Sequence, residues 1–149
     1  MKFNLSYIDK DGQRKTPVVL HRAVFGSIDR TIAYYLEETK GNLPLWLAPK
    51  QVYILPVNNE YHLEYAKEIQ QLLLDNNIRV VLDDRDEKLG YKLRETQIKK
   101  IPYTLVNGDK ERDAKTISYR KYSSQDTTTV SKEEFVELLL NEIKNKGNK

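Results

Sequence analysis

The chain has 149 residues, of which 39% are hydrophobic and 32% charged, a composition typical of one globular domain with a small appendage. It lacks cysteine, which excludes disulfides and thiolate chemistry, and it has no apolar stretch near the roughly 20 residues that span a bilayer. The formal net charge is only +3, but residues 85–121 hold eleven Lys or Arg against six Asp or Glu, which favours a polyanion-binding patch there.

The first part of the chain predicts a hairpin followed by a helix. Apolar and polar residues alternate over 3–7, Asp11-Gly12 supplies a turn, and residues 18–20 form the expected return strand. Apolar residues then recur at helical spacing from Ile28 until Lys40-Gly41, a suitable helix stop. Two prolines bracket the next connection, so we place a domain boundary between residues 43 and 44.

The second part alternates strands and helices. The predicted strands are 51–57, 78–82, 103–106 and 116–120, and the predicted helices are one capped by Asn58-Asn59, one over 90–100 and one opened by the capping box of Ser131 and Glu134. The last two strands are joined only by a turn around Gly108-Asp109, too short for a parallel crossover. The order βαβαββα therefore predicts an α/β fold with a mixed sheet.

Two segments carry recognisable motifs. The run 21–30 joins the return strand to the helix through Gly26-Ser27 and places Arg30 in the first helical turn. A guanidinium at that place can grip phosphate charge in a bidentate way, and a helix N-terminus favours anions. The second motif, residues 83–94, leads from a strand into a strongly basic helix.

Together these motifs resemble the threonyl-tRNA synthetase family of class II aminoacyl-tRNA synthetases, and the resemblance extends from about residue 3 to the C-terminus. It implies that the chain is the C-terminal part of a threonine–tRNA ligase, which attaches threonine to its tRNA through threonyl-adenylate. Residues 1–43 would be the motif 3 end of the catalytic domain, and 44–149 the anticodon-binding domain. That domain is expected to hold a five-stranded mixed sheet with three helices, the fifth strand lying within 123–130 or in the linker.

The resemblance also implies roles for residues of the first part. Arg30 would be the catalytic, ATP-binding arginine, with Gly26 and Ser27 beside the adenylate. His21 would be one of three zinc ligands, but the chain has no cysteine and only one other histidine, His62, on a predicted surface helix. We therefore expect ATP with Mg²⁺ and one Zn²⁺ only in the full-length enzyme, no cofactor in this chain, and no catalysis by it alone.

In the second part, the resemblance assigns anticodon-base reading to four residues and phosphate contacts to several lysines. The base-reading residues would be Asp86, Lys100, Glu111 and Arg120, and the phosphate contacts Lys88, Lys92, Lys99 and Lys121. A carboxylate with a guanidinium offers both an acceptor and a donor to guanine, and Tyr119 is a candidate for stacking on a base. The expected partner is threonine tRNA in the cytoplasm, without a membrane, with the full-length enzyme a homodimer and this chain a monomer.

The residues leave two alternative functions open. The first is a stand-alone anticodon-domain-like protein that binds RNA or acts as an accessory subunit without catalysis, using the same surface but not His21 or Arg30. The second is a flavodoxin-like small-molecule domain, which shares the alternation of strands and helices. It would need a phosphate-cradling loop after its first strand, and residues 56–59 lack the glycine, serine and threonine for one.

Overall fold

The computed structural model of the chain describes residues 4–24, 26–124 and 126–146. Contacts divide the chain into two units, Met1–Tyr34 and Tyr35–Lys149. The helix α1 spans Ile28–Glu38, as its apolar spacing predicts. None of its residues is buried.

The first unit contains one short antiparallel pair. Strand β1 (Tyr7–Ile8) pairs with β2 (Arg14–Lys15) around the predicted turn. The predicted return strand at 18–20 is wrong, because the return strand β2 follows directly after the turn. The Lys15 ammonium of β2 binds the carboxylates of both Asp9 and Asp11 and so holds the turn closed. Residues 18–20 lie outside any strand and are exposed, and Phe3 of the predicted hairpin lies outside the described residues.

The second unit is the predicted α/β layer. Its elements are β3 (Val52–Pro56), α2 (Asn59–Asp75), β4 (Val80–Leu82), α3 (Leu89–Ile98), β5 (Tyr103–Asn107), α4 (Asp109–Ala114), β6 (Thr116–Lys121), β7 (Thr128–Ser131) and α5 (Lys132–Lys144). The sheet order is β4-β3-β5-β6-β7, with β4, β3 and β5 parallel and β6 and β7 antiparallel. The mixed five-stranded sheet is confirmed. The connection predicted as a turn contains the extra helix α4.

Helix ends follow the predicted capping chemistry. The Asn58 side chain accepts a hydrogen bond from the Glu60 N–H at 2.7 Å and so opens α2. At α5, the Glu134 N–H donates to Ser131 Oγ at 3.2 Å, and the Ser131 N–H donates to the Glu134 carboxylate at 3.0 Å. This reciprocal pair satisfies two otherwise orphaned N–H groups, so α5 begins where the sheet ends.

The two faces of the sheet differ in what covers them. One face packs against α2 and α5 through the main apolar core, which includes Ile54, Leu105 and Ile117. On the opposite face, a smaller apolar cluster centred on Tyr53 and Leu55 lies under α3. Among the described residues, neither apolar cluster covers that opposite face at β6 and β7. Nor does any described helix combine the length and apolarity that crossing a bilayer requires.

Candidate nucleic-acid interface

Beyond the smaller apolar cluster, the same face is lined by polar side chains of β6 and of the segment that pairs with it; Ser118 among them is buried. We call this the open face; it consists of Ser118, Arg120, Thr127 and Thr129. Strand register places Ser118 opposite Thr129, and their hydroxyl oxygens lie 2.8 Å apart. Arg120 donates from Nη2 to the Thr127 hydroxyl at 3.1 Å. Arg120 is half-buried, and its guanidinium has further N–H donors that this contact does not use.

Glu111 of α4 reaches the same face. Its carboxylate accepts from the Ser118 hydroxyl at 2.7 Å and from the Gly108 N–H at 3.0 Å. Burial raises the pKa of Glu111, but the hydrogen bonds from Ser118 and from backbone N–H groups, together with the positive charge of Lys110, hold the pKa below its ordinary value. The carboxylate is therefore ionised at neutral pH and offers only acceptor atoms. Within the described part of the chain, no hydrogen bond joins it to Arg120.

The loop between β4 and α3 is tied down from several sides. Arg85 donates to both carboxylate oxygens of Asp83, at 2.8 and 2.6 Å, and also binds Glu95 of α3. This guanidinium holds the pKa of the buried Asp83 carboxyl below its ordinary value. The Asn59 amide of α2 donates to the Asp84 carbonyl at 2.6 Å. These contacts fix the conformation of the loop, from which the side chains of Asp86 and Lys88 are exposed.

Lys92 has a different place from the one predicted. It is only 2% exposed, and its ammonium donates to the Asp83 carbonyl at 3.0 Å. The prediction that Lys92 contacts phosphate is wrong, because the ammonium is buried beneath the loop that it supports. Its role in this structure is to hold the backbone before Asp86.

The base-reading residues predicted from the resemblance lie at two edges of the sheet. Asp86 is exposed in the loop after β4, and Glu111 follows β5, so both lie at the carboxyl ends of the parallel strands. Lys100 follows α3, at the opposite edge, where its ammonium binds the Lys40 carbonyl. Arg120 pairs with Thr104, which is also near that opposite edge. Lys88, the exposed N-cap of α3, lies beside Asp86.

Tyr119 and His62 both point into the interior of the second unit. Tyr119 is 8% exposed and packs against Phe135 with ring centroids 5.0 Å apart, so the prediction that it stacks on a base is wrong. His62 is 3% exposed, which corrects its predicted place on a surface helix. Its Nδ1 accepts from the Asn58 N–H, so Nε2 carries the proton and donates to Asp109 at 3.1 Å. His62 therefore joins α2 to α4.

In the first unit, the predicted catalytic residues are exposed. Gly26 has φ +65°, which favours glycine, and the Arg30 N–H lies 3.4 Å from the Ser27 hydroxyl at the start of α1. Arg30 and His21 are both exposed. Across residues 4–24, 26–124 and 126–146, no cluster of three His, Cys, Asp or Glu could hold a metal ion. The described residues therefore do not fit a complete zinc site around His21.

Sequence reasoning missed the supporting residues of the interface. Ser118, Thr127 and Thr129 gave no motif, although their alternation with the apolar residues of β6 and β7 is a period-2 signal for a second, polar face. Arg85 lies within the recognised motif, but its part in holding the loop depends on Glu95, ten residues away. Only the packing of α3 brings these two together.

A mixed five-stranded sheet flanked by helices is the architecture of a known family of domains: residues 51–142 match the family model described as "Anticodon binding domain". The match covers more than half of the chain, so the chain belongs to the anticodon binding domain family. Threonine–tRNA ligases of Staphylococcus saprophyticus and Staphylococcus carnosus are each 52% identical to it over 143 residues, and one from Staphylococcus aureus is 50% identical. The predicted threonyl-tRNA synthetase resemblance is confirmed, and the chain corresponds to the anticodon-binding region of that enzyme.

A solved structure supports the same assignment. The RNA binding domain of threonyl-tRNA synthetase from Cryptosporidium parvum Iowa II superposes with a TM-score of 0.78 at 31% identity, covering 93% of this chain and 35% of that one. The alignments with the three Staphylococcus ligases cover 96% of this chain. The chain spans about a fifth of the length of these curated relatives, 22% in each case.

Proposed function

We propose that this chain binds the anticodon loop of threonine tRNA, as the C-terminal part of a threonine–tRNA ligase. One observation carries the proposal: an ionised carboxylate, Glu111, and a guanidinium, Arg120, are each anchored by the open face while keeping hydrogen-bonding capacity for a ligand. Single-stranded RNA is read through base edges by groups of this kind.

Glu111 and Arg120 offer complementary hydrogen-bonding groups. Each Glu111 oxygen has one described partner and keeps a second acceptor direction, which suits the N–H groups of guanine. Arg120 donates toward one hydroxyl, Thr127, and its remaining N–H groups suit guanine O6 and N7. Because both side chains are held before RNA arrives, little rotamer freedom is lost on binding.

The loop after β4 supplies the second part of the proposed interface. Asp86 would accept from a base and Lys88 would bind a phosphate, while Arg85 and Lys92 keep the loop in the same conformation with and without RNA. Lys100 would contact RNA at the other end of α3. Its Nζ has one described acceptor, the Lys40 carbonyl, and an ammonium has three donors, so two stay available.

The first 43 residues belong, in this proposal, to the catalytic domain of the ligase. Arg30 would bind the phosphates of ATP, which is used with Mg²⁺ to activate threonine, and Gly26 and Ser27 would line the same pocket. His21 would need zinc ligands from outside the described residues. The chain alone would therefore neither activate nor transfer threonine. We propose a cytoplasmic homodimer for the whole ligase and a monomer for this chain.

Binding to an anticodon stem-loop tests the proposal directly. We expect the chain to prefer the threonine stem-loop over one with a swapped anticodon by roughly 5- to 150-fold, the equivalent of about 1–3 kcal/mol for one lost bidentate contact. With about five phosphates contacted, log affinity should fall against log salt with a slope of about −3.5. Equal affinity for both stem-loops would refute the proposal. In ATP–pyrophosphate exchange we expect no threonine-dependent signal, and such a signal would refute the predicted inactivity.

A further inference from the structure

A shallow depression lies at the amino edge of the sheet, between the linker before β3 and the end of α3. Three lysines surround it, Lys50 from the linker and Lys99 and Lys100 from the α3 end, and its apolar lining includes Leu43, Pro49 and Ile101. We call it the lysine depression. No Asp or Glu is among its lining residues.

Each of these three lysines is held by a contact with the fold. The Nζ atoms of Lys50 and Lys99 lie 5.7 and 5.8 Å from the centroid of the Tyr53 ring, which is 6% exposed. Cation–π attraction to this ring orients both lysines. Lys100 has φ +52°, and its ammonium binds the Lys40 carbonyl. The lysines are thus positioned by contacts with the fold.

The positive charge of this site is only partly compensated. Lys99 forms an ion pair with Glu95 at 2.5 Å, but the Glu95 carboxylate also forms an ion pair with Arg85. Lys50 and Lys100 have no carboxylate within ion-pair distance in the described part of the chain. Like charges brought together on a surface repel, and a bound anion relieves that repulsion.

The lysine depression adjoins the proposed RNA-binding surface. Ile101 lines it and also lines the neighbouring depression bordered by Arg120 and Lys121. A chain of nucleotides leaving Arg120 can therefore pass Lys121 and the end of α3 and reach Lys50 and Lys100. An apolar floor with a cationic rim suits a ribose or base face together with its phosphates.

We propose that the lysine depression binds a phosphodiester segment of the RNA beside the anticodon bases, extending the interface to the amino edge of the sheet. This inference rests on the proposed function, because its ligand is the same RNA. It gives Lys50 a backbone-holding role that is independent of base identity. This lysine should therefore affect affinity for every sequence and leave the preference for the threonine anticodon unchanged.

The test is Lys50→Gln, which removes one charge from the rim of the depression and leaves Lys99, Lys100 and the Lys99–Glu95 pair unchanged. The matched control is Lys67→Gln, which removes one charge from an exposed position on α2. Fluorescence anisotropy with the threonine and anticodon-swapped stem-loops, from low to moderate salt, gives the affinity, the salt slope and the anticodon preference. Circular dichroism melts verify that both variants fold.

If the Lys50 ammonium neutralises one phosphate, Lys50→Gln should bind roughly 4-fold more weakly at 0.15 M salt, with a salt slope about 0.7 shallower, and keep its anticodon preference. The control should lose far less. Equal losses of affinity in the two variants would overturn the inference. The proposed function would still stand in that case if the wild-type chain prefers the threonine stem-loop. Amide NMR shifts of Gly41 and Ile101 on adding stem-loop to the wild type give an independent check: unmoved resonances, or equal shifts with inorganic phosphate alone, would also overturn it.

Discussion

Replacing Glu111 by Gln separates the structural task of this side chain from the RNA-binding task that we propose for it. The carboxylate caps the backbone at Gly108 and binds the Ser118 hydroxyl, and in the proposed complex it also accepts from a base. A Gln amide can keep both internal contacts: its oxygen accepts from the Gly108 N–H, and its NH₂ donates to Ser118. Ser118 then turns its own proton to Thr129, whose hydroxyl lies 2.8 Å away.

The expected magnitudes differ enough to be distinguished. Two charge-assisted hydrogen bonds become neutral ones, which should cost about 0.5–1 kcal/mol of folding free energy. For a chain of 149 residues this lowers the melting temperature by roughly 1–4 °C. In RNA binding, Glu111→Gln replaces the two acceptor oxygens of the carboxylate by one oxygen and one NH₂ group. An N–H of that amide then faces the N–H groups of guanine. That loss should weaken binding by about 1–3 kcal/mol, roughly 5- to 150-fold.

The assay pairs a thermal melt with stem-loop anisotropy for Glu111→Gln and for Ser118→Ala as the control. Ser118→Ala removes one internal contact of Glu111 but keeps its charge. We expect Glu111→Gln to lose affinity mainly for the threonine stem-loop, and Ser118→Ala to lose stability with a smaller change in binding. A folded Glu111→Gln protein with unchanged affinity would show that this carboxylate only caps α4, which refutes the base-reading role.

Two further predictions concern stability. Asn107 is fully buried on the core face of β5, and neither its amide oxygen nor its nitrogen has a hydrogen-bond partner among the described residues. Asn107→Val should stabilise the fold by about 1–3 kcal/mol in thermal melts, whereas a lower melting temperature would show that a buried water satisfies the amide. Because Arg85 lowers the pKa of Asp83 below 3.8 in the folded state, that stabilisation is present at neutral pH and is lost as the pH falls through the folded pKa. Arg85→Gln should therefore shrink the difference between melting temperatures at about pH 7 and about pH 3, and an unchanged difference would contradict this linkage.

The local elements of the second unit could be predicted from the sequence because their signals are short in range. Asn58 opens α2, and Ser131 with Glu134 opens α5, through contacts spanning two or three residues. The positions of β3 and β5 could be predicted for the same reason, because each strand is a short run of apolar residues. The first unit was predicted less well: residues 18–20 are apolar and strand-like, but nothing described pairs with them, and strand formation needs a partner.

By itself, then, the sequence determined the mixed sheet, most of the strands and helices of the second unit and the family, but not the short helix α4, because the predicted features follow from capping, apolar period and motif residues close together in the chain. Only the tertiary structure decided which of the predicted site residues are buried and which are exposed. Sheet register sends Tyr119 into the core and Arg120 to the open face, and contacts across dozens of residues bury His62 and bring Lys50 beside Lys99. Such long-range juxtapositions are set by strand pairing and helix packing, which leave no local trace in the order of residues.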